Sequence, residues 1–127
     1  MTTLVVAAII QDDGGNYLAC KRGEWKQSPN KWEFPGGKPE AGEVLEQALI
    51  REIKEELNTD IKVIRQFDRS TTGEIELVSF VCELTAEKPA FSTDHSEMRW
   101  VPEGELSKLD WAEPDMPALK RILIPFC

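Results

Sequence analysis

The segment GGKPEAGEVLEQALIREIKEELN, residues 36–58, decides the fold because it contains the strongest helix signal in the chain. Residues 41–57 contain no proline, no glycine after Gly42, and good helix formers at nearly every position. Asn58 follows, and asparagine tolerates the left-handed conformation that often ends a helix. We therefore predict a helix over residues 41–57 that ends at Asn58.

The acidic residues of this helix interrupt its hydrophobic pattern. The apolar face consists of Leu45, Leu49, Ile50, Ile53 and Leu57. At about 100° per residue, Glu56 falls within this face and Glu52 at its margin, while Glu55 lies further round. Unpaired buried carboxylates are costly and neighbouring like charges repel, but a divalent cation such as Mg²⁺ would relieve both effects. The alternative is a solvated acidic patch in which Arg51 pairs with Glu55.

Short strands and a terminal helix are predicted around the central helix. The predicted strands are residues 4–11, 17–22, 32–34, 61–67, 75–84 and 98–101. The first two are expected to form a hairpin across the turn cluster of residues 12–16. Asp115 is expected to N-cap a final helix with Pro117 in its first turn. Residues 89–97 are predicted to be a polar loop, and residues 102–113 are left unassigned. The pattern favours an α/β fold with a mixed β-sheet between α-helices.

Length and composition indicate one globular domain over residues 1–127. Hydrophobic residues make up 41% and charged residues 30% of the chain, as in soluble globular proteins. The longest apolar run, residues 4–10, is far shorter than the ~18 residues of a membrane helix. No basic segment precedes it, so it does not resemble a signal peptide. We expect a cytoplasmic protein without a membrane partner.

The charge and the cysteines limit the classes of partner. The formal net charge of −8 disfavours a nucleic acid polymer, but a single nucleotide can bind acidic residues through a metal ion. Cys20 and Cys82 lie in apolar strand patterns and are expected to be buried, while Cys127 ends the chain. His95 is the only histidine, which excludes the usual multi-histidine zinc sites.

The helix and its preceding glycines resemble the Nudix box, G-x5-E-x7-R-E-U-x-E-E-x-G-U, where U is apolar. The matching positions are Gly37, Glu43, Arg51, Glu52, Ile53, Glu55 and Glu56. Asn58 and Thr59 depart from the pattern, which has a glycine and an apolar residue there. The segment KWEFPGGK at residues 31–38 is similar to MutT-type enzymes and bacterial cytidine-triphosphate pyrophosphohydrolases, as are Lys21-Arg22 and residues 112–117. The likeness covers nearly the whole chain.

The resemblance implies a Mg²⁺ site, with Mn²⁺ as a possible substitute. In this family a glycine carbonyl and the box glutamates bind the metal, and here these would be Gly36, Glu52, Glu55 and Glu56. A further acid from the loop before a late strand usually joins them. Its distance from Trp100 makes Asp94 the first candidate and Glu97 the second.

The catalytic roles follow from the same resemblance. A box glutamate would take the proton of the attacking water, and Glu52 and Glu55 are both reasonable bases. Arg51 is grouped with the catalytic residues because it is expected to orient the glutamates by ion pairing. Glu43 is expected to be a structural acid at the start of the helix.

Candidate substrate contacts each have a structural alternative. Arg22 is expected to bind a phosphate, or else to be a solvated charge at a strand end. Asp115 matches a position that reads the nucleobase and could accept from an exocyclic amine, or else it only caps the helix. Phe34 or Trp32 could stack on the base or fill the core. Trp25 is a possible lid residue.

The resemblance implies Mg²⁺-dependent hydrolysis of a nucleoside triphosphate to a nucleoside monophosphate and pyrophosphate. The expected substrate is a pyrimidine nucleotide such as CTP or dCTP, or an oxidised nucleotide such as 8-oxo-dGTP. One alternative is hydrolysis of ADP-ribose or a dinucleotide. Another is a non-catalytic Nudix-like binding module, which the retained glutamates disfavour. A Ca²⁺-binding domain is disfavoured because no D-x-D-x-D-G loop is present. A monomer or homodimer is expected.

Overall fold

A computed structural model describes residues 2–124, so Met1 and residues 125–127, including Cys127, lie outside the description. The elements in chain order are β1 (Thr3–Ile10), β2 (Tyr17–Arg22), β3 (Trp32–Glu33), β4 (Gly36–Gly37), α1 (Leu45–Leu57), β5 (Ile61–Thr72), β6 (Ile75–Leu84), β7 (His95–Val101) and α2 (Met116–Leu123). Short 3₁₀ helices occupy Glu103–Lys108 and Glu113–Asp115. Across residues 2–124, no helix is both long enough and apolar enough to cross a membrane.

The strands form two sheets. The larger one is mixed, in the order β4-β1-β6-β5, with β1 and β6 parallel. The smaller one is antiparallel, in the order β3-β2-β7. The α/β class predicted from the sequence is confirmed, with its strands divided between two sheets.

The core lies on both faces of the larger sheet because side chains alternate along its central strands. One cluster joins α1 to Val6, Ala8 and Ile10 of β1 and to Val78 and Phe80 of β6. The other joins α2 to Ala7 and Ile9 of β1 and to Leu77 of β6. Each helix covers one face, so the sheet is sandwiched between helices as predicted.

The prediction that the first two strands pair as a hairpin is wrong, although the chain does turn between them. Only the bridge between Gln11 and Tyr17 joins the two segments, after which they enter different sheets. β1 is buried on both faces and is a central strand of its sheet. It pairs with β6 on one side and with the two residues of β4 on the other. A continuous apolar run does not specify which strand pairs with it.

Several predicted boundaries also differ from the structure. The helix begins at Leu45 and not at residue 41, because Gly42 has a φ of +78° and belongs to a turn. The fifth strand extends to Thr72 with two bulges, and the seventh begins at His95, inside the predicted loop. Asn58 does end α1, with a φ of 50° and its N–H donating to the Lys54 carbonyl. Cys20 and Cys82 are buried, as expected.

Asp115 does not cap the terminal helix. It precedes α2 with helical backbone angles, and its side chain makes no capping hydrogen bond. Its carboxyl group instead accepts a hydrogen bond from the Phe34 backbone N–H at 2.9 Å. Pro117 does lie in the first turn of α2, as predicted.

Candidate active site

A cleft of about 680 Å³ opens beside the N-terminal halves of β1 and β6. Its chemically active side chains come from distant parts of the sequence: Arg22, Lys26, Glu33, Lys38, Glu52, Glu56, Glu74, Asp94 and Asp115. Gly36, Gly37 and Phe34 also line it. Six carboxyl groups thus share one cleft with three cationic side chains. Such a surface repels a free triphosphate unless cations neutralise part of its charge.

A second and larger hollow, of about 800 Å³, lies at the opposite ends of the same strands. Its lining includes Arg65, Phe67, Lys88 and Arg121, and none of the candidate site residues. Its acidic and basic side chains balance one another, and Lys88 is already paired with Asp12 at 2.8 Å. The smaller cleft is therefore the candidate active site, because its groups converge and its charge is unbalanced.

Glu56 is the most unusual group in the cleft. It is only 8% exposed, and its Oε1 is buried without a hydrogen-bond partner among the described residues. Burial, together with the neighbouring Glu52 and Asp94, raises the pKa of Glu56 to about 9, against a smaller lowering by Lys26. A buried polar atom without a partner is rare in folded proteins, so a ligand is expected at this oxygen.

The two glycines before α1 allow β1 and the helix to approach each other. A Cβ at Gly37 would lie 2.0 Å from Glu52 Oε2, and one at Gly36 would lie 1.9 Å from the Val6 carbonyl oxygen. Neither position can hold a larger residue without displacing its neighbour. The diglycine therefore holds Glu52 against the short strand β4, at the edge of the cleft.

Arg51 holds three glutamates on the outer side of α1. Its Nε and Nη2 donate to the two carboxylate oxygens of Glu43 at 2.8 and 2.9 Å. Its Nη1 donates to Glu52 at 3.0 Å and to Glu55 at 3.2 Å. The hydrogen bond from Arg51 lowers the pKa of Glu43 to about 2. Glu43 therefore anchors the arginine, which in turn orients Glu52.

Glu55 differs from the other two box glutamates because its side chain is 57% exposed and does not line the cleft. The helical pattern predicted this separation, since Glu55 lies further from the apolar face than Glu52 and Glu56. The structure thus divides the glutamates into two that enter the cleft and one that lies outside it with Arg51.

Asp94, and not Glu97, lies in the cleft. Oxygens of Glu56 and Asp94 and a ring nitrogen of His95 all lie within 4.8 Å of one another. Both nitrogens of His95 already have partners, Ser92 Oγ at 2.7 Å and Glu33 at 2.8 Å. Glu97 interacts with Arg99 on the surface at 2.5 Å.

The residues of the cleft fit a divalent cation. Glu52, Glu56 and Asp94 offer the carboxylate oxygens that Mg²⁺ prefers, and Gly36, the residue whose carbonyl was predicted to bind metal, lines the same cleft. Oε1 of Glu56 could serve as a metal ligand, because it has no hydrogen-bond partner among the described residues. Mutual repulsion among these groups would decrease when a cation binds.

Arg22 lines the cleft but is partly occupied by protein contacts. Its Nη1 donates to Glu33 at 2.7 Å and its Nε donates to the Gln27 carbonyl at 2.7 Å. Burial would raise the pKa of Glu33, but its hydrogen bonds with His95 and Arg22 outweigh burial and lower it. Arg22 therefore enters the cleft with a fixed orientation, and its Nη2 makes no hydrogen bond within residues 2–124.

Asp115 forms the far wall of the cleft in an apolar environment. Burial raises its pKa to about 8, with a further contribution from the charge of Glu33. Phe34 donates its backbone N–H to this carboxyl group, while its ring is 3% exposed and lies 4.7 Å from the Trp111 ring centroid. The Phe34 ring therefore packs in the core, as does Trp32, which is 5% exposed.

Several polar residues in or beside the cleft were not predicted from the sequence, among them Lys26, Glu33 and His95. Lys26 belongs to a polar loop without any distinguishing pattern. His95 was considered only as a zinc ligand. Glu33 had a usable signal, because a charged residue between Trp32 and Phe34 interrupts an apolar strand. Trp25, the suggested lid residue, is 68% exposed on the same loop as Lys26.

Comparison with known proteins shows the family. The sequence matches the NUDIX domain over residues 1–122. It is 32% identical to the CTP pyrophosphohydrolase of Escherichia coli over 94% of this chain and 90% of the relative. It is also 32% identical to the 8-oxo-dGTP diphosphatase of Haemophilus influenzae, with the same coverage. A MutT structure from a study of Aliivibrio salmonicida and Vibrio cholerae matches with a TM-score of 0.78 and 29% identity, over 99% of this chain and 100% of that one.

Proposed function

Because the chain belongs to the Nudix family, we propose that its cleft hydrolyses a nucleoside triphosphate to a nucleoside monophosphate and pyrophosphate. The named relatives that cleave triphosphates match nearly the whole chain, which supports this reaction. The protein is a Nudix hydrolase, and the conserved chemistry of that family is attack of water on a phosphoanhydride. We also propose which nucleotide is preferred and which residues act on it.

The observation that carries the proposal is the buried and unpartnered Oε1 of Glu56 in an open cleft. A solvated acidic patch, the alternative to a metal site, would leave this carboxylate exposed to water. Glu52 and Asp94 lie beside it and increase the cost of leaving it ionised. A cation bound by these groups would offset the cost of their burial and mutual repulsion.

Glu52, Glu56, Asp94 and the Gly36 carbonyl would hold the metal, with Mg²⁺ as the natural ion and Mn²⁺ as a substitute. A bound Mg²⁺ neutralises phosphate oxygens and lowers the pKa of the attacking water. Glu55 would join these ligands only by leaving Arg51, to which it is bound at 3.2 Å. Asp94 is placed ahead of Glu97 because Glu97 does not line the cleft.

Glu52 is the proposed general base. It lines the cleft against Gly37, where a water beside the phosphate can reach it, whereas Glu55 lies outside. One oxygen of Glu52 accepts a hydrogen bond from Arg51, which fixes the orientation of the carboxylate that would take the proton. Arg51 acts through this orientation and does not itself touch the cleft.

Arg22 and Asp115 would hold the two ends of the nucleotide. The free Nη2 of Arg22 is available to a phosphate oxygen. Asp115, with its pKa raised to about 8, is a neutral acid at pH 7 and can both donate and accept a hydrogen bond. Cytosine, through N3 and N4, and 8-oxoguanine, through O6 and N7, both present an acceptor next to a donor. This proposed role differs from the sequence-based expectation, in which an ionised Asp115 only accepts a hydrogen bond.

Release of pyrophosphate from a panel of nucleotides tests the proposal. With Mg²⁺ present, we expect turnover of CTP, dCTP or 8-oxo-dGTP and much less turnover in EDTA. Glu46→Gln, an exposed change on the first turn of α1, provides a matched control for loss of a carboxylate. Faster turnover of ADP-ribose than of any triphosphate would favour the alternative reaction. Binding of nucleotide and metal without any cleavage would favour a binding module.

Four further predictions concern the domain organisation, location, oligomeric state and partners of the protein. A single domain over residues 1–127, a cytoplasmic location, a monomer or homodimer, and the absence of a nucleic acid polymer or membrane partner each require their own measurement. The acidic cleft supports a small metal-bound anion as the substrate.

A further inference from the structure

Lys26 reaches the cleft from the loop between β2 and β3. Its ammonium group pairs with Asp94, which lies in the segment before β7. The Lys26 side chain is 24% exposed and Asp94 33%, so the pair is partly shielded from solvent. The sequence singled out only Trp25 in this loop, as a possible lid residue, so the contact between Lys26 and Asp94 is an addition made by the tertiary structure.

The loop that presents Lys26 is held in place by backbone contacts. The Lys26 N–H donates to the Gly23 carbonyl at 3.1 Å, and the Asn30 N–H donates to the Arg22 carbonyl at 3.0 Å. Arg22 Nε donates to the Gln27 carbonyl at 2.7 Å. These bonds close the loop onto the end of β2, so the lysine is tethered beside the cleft while its long side chain remains able to move.

The other cations near the acidic groups are arranged differently. Arg51 lies outside the cleft, and Arg22 is bound to Glu33. Lys26 pairs directly with Asp94, and the carboxylates of Asp94 and Glu56 lie within 4.8 Å of each other in the same cleft. An ammonium group and a divalent cation repel each other when they share the same carboxylates. The Lys26 ammonium group and a divalent cation therefore cannot both bind Asp94 favourably.

We propose that Lys26 is a tethered counter-cation, which neutralises Asp94 in the metal-free protein and transfers to the triphosphate when a divalent cation binds Asp94. The inference rests on the proposed function, because it assigns Lys26 a second partner among the substrate phosphates. Lys26 would thereby weaken metal binding in the absence of substrate and strengthen substrate binding once metal is present. Its displaced ammonium needs a new anion, and the incoming phosphates supply one.

Metal affinity in the absence of nucleotide tests the first half of the inference. Titration of Mn²⁺ into the protein by calorimetry should show Lys26→Met binding several-fold more tightly than the wild-type protein. Lys38→Met is the charge control, because Lys38 lines the same cleft but makes no ion pair within the described residues. Lys31→Met is the outside control, because Lys31 pairs with Asp110 at 2.8 Å away from the cleft.

Nucleotide affinity tests the second half. With saturating Mn²⁺, a non-hydrolysable triphosphate analogue should bind Lys26→Met several-fold more weakly, while Lys31→Met should match the wild-type protein. Lys26→Gln should repeat both effects, and it serves in place of Lys26→Met if that variant does not fold.

Two results would overturn the inference. One is Mn²⁺ affinity that is unchanged or weaker in both Lys26 variants, or raised equally by Lys38→Met. The other is unchanged affinity for the triphosphate analogue. Failure of the wild-type protein to release pyrophosphate from any triphosphate would instead contradict the proposed function, so the two failures are distinguishable.

Discussion

Glu56 and Asp115 are both buried carboxyl groups of the same cleft, yet their surroundings give them different chemistry. Glu56 belongs to α1 and has Glu52 and Asp94 beside it, with one oxygen unpartnered. Asp115 precedes α2 on the other face of the sheet and accepts a hydrogen bond from Phe34. Burial raises the pKa of both, to about 9 and about 8.

The difference shows how neighbours decide the role of a buried acid. A carboxyl group among other carboxylates gains most from a cation, which relieves all of the repulsion together. A carboxyl group in an apolar wall with one backbone donor can remain neutral and form directional hydrogen bonds. The first arrangement suits phosphate chemistry and the second suits recognition of a base.

The largest expected effect is that of Glu56→Gln. We expect kcat to fall by at least about 10³-fold, because an amide is a poor metal ligand and several kcal/mol of charge stabilisation is lost. The fold should survive in EDTA with a similar Tm, since the amide is uncharged, as is the protonated carboxyl group that a pKa of about 9 implies for Glu56 at pH 7. Steady-state pyrophosphate release and thermal unfolding measure both effects, with Glu46→Gln as the control. A wild-type rate in Glu56→Gln would refute the metal site.

The next largest effect is a difference in kcat between the Glu52→Gln and Glu55→Gln variants. Glu52→Gln is expected to lower kcat by on the order of 10²–10³-fold through loss of the general base. Glu55→Gln is expected to cost less, because its side chain lies outside the cleft. The sequence alone left both residues as reasonable bases. Single-turnover rates at saturating Mg²⁺ compare the two variants, and a greater loss in Glu55→Gln would transfer the base role to it.

Asp115→Ala should act mainly on substrate recognition. We expect kcat/KM for the best nucleotide to fall by about 10–100-fold, as for loss of one good base contact. The rate on poor nucleotides should change less, because they do not use this contact. Measurement of kcat/KM over the nucleotide panel gives the comparison. An equal loss for every nucleotide would show that Asp115 does not discriminate between bases.

The smallest effect is a change in how stability depends on pH. Folded Asp115 keeps its proton up to about pH 8, whereas the unfolded carboxyl ionises near 3.8. The folded state therefore binds more protons in this window, and its stability falls as the pH rises. Relative to Asp115→Asn, the wild-type protein should lose up to about 1.4 kcal/mol per pH unit. Urea unfolding in EDTA between pH 5 and 8 measures this, and parallel curves would contradict it.

Local sequence patterns predicted the parts of the fold that depend on near neighbours. The end of α1 at Asn58, the burial of Glu56 on the apolar face, and most strand positions follow from propensity and periodicity. The pairing of β1 with β6 does not follow, because the two strands lie about 70 residues apart in the chain. An apolar sequence predicts that a strand is buried, but it does not predict which strand lies beside it.

The same division applies to the cleft. Glu52, Glu56 and Gly37 lie within one continuous motif, so their spacing was sufficient to predict that they act together. Lys26 and Asp94 are 68 residues apart, and only the folded chain brings their charges into contact.

By itself the sequence determined the family, the central helix and its acidic face, because side chains on one helix keep a fixed spacing. The tertiary structure alone decided that Asp115 accepts a hydrogen bond from Phe34 and that Lys26 pairs with Asp94. The physical reason is that burial and distance between remote segments set these charges and partners, and neither quantity is encoded in local spacing.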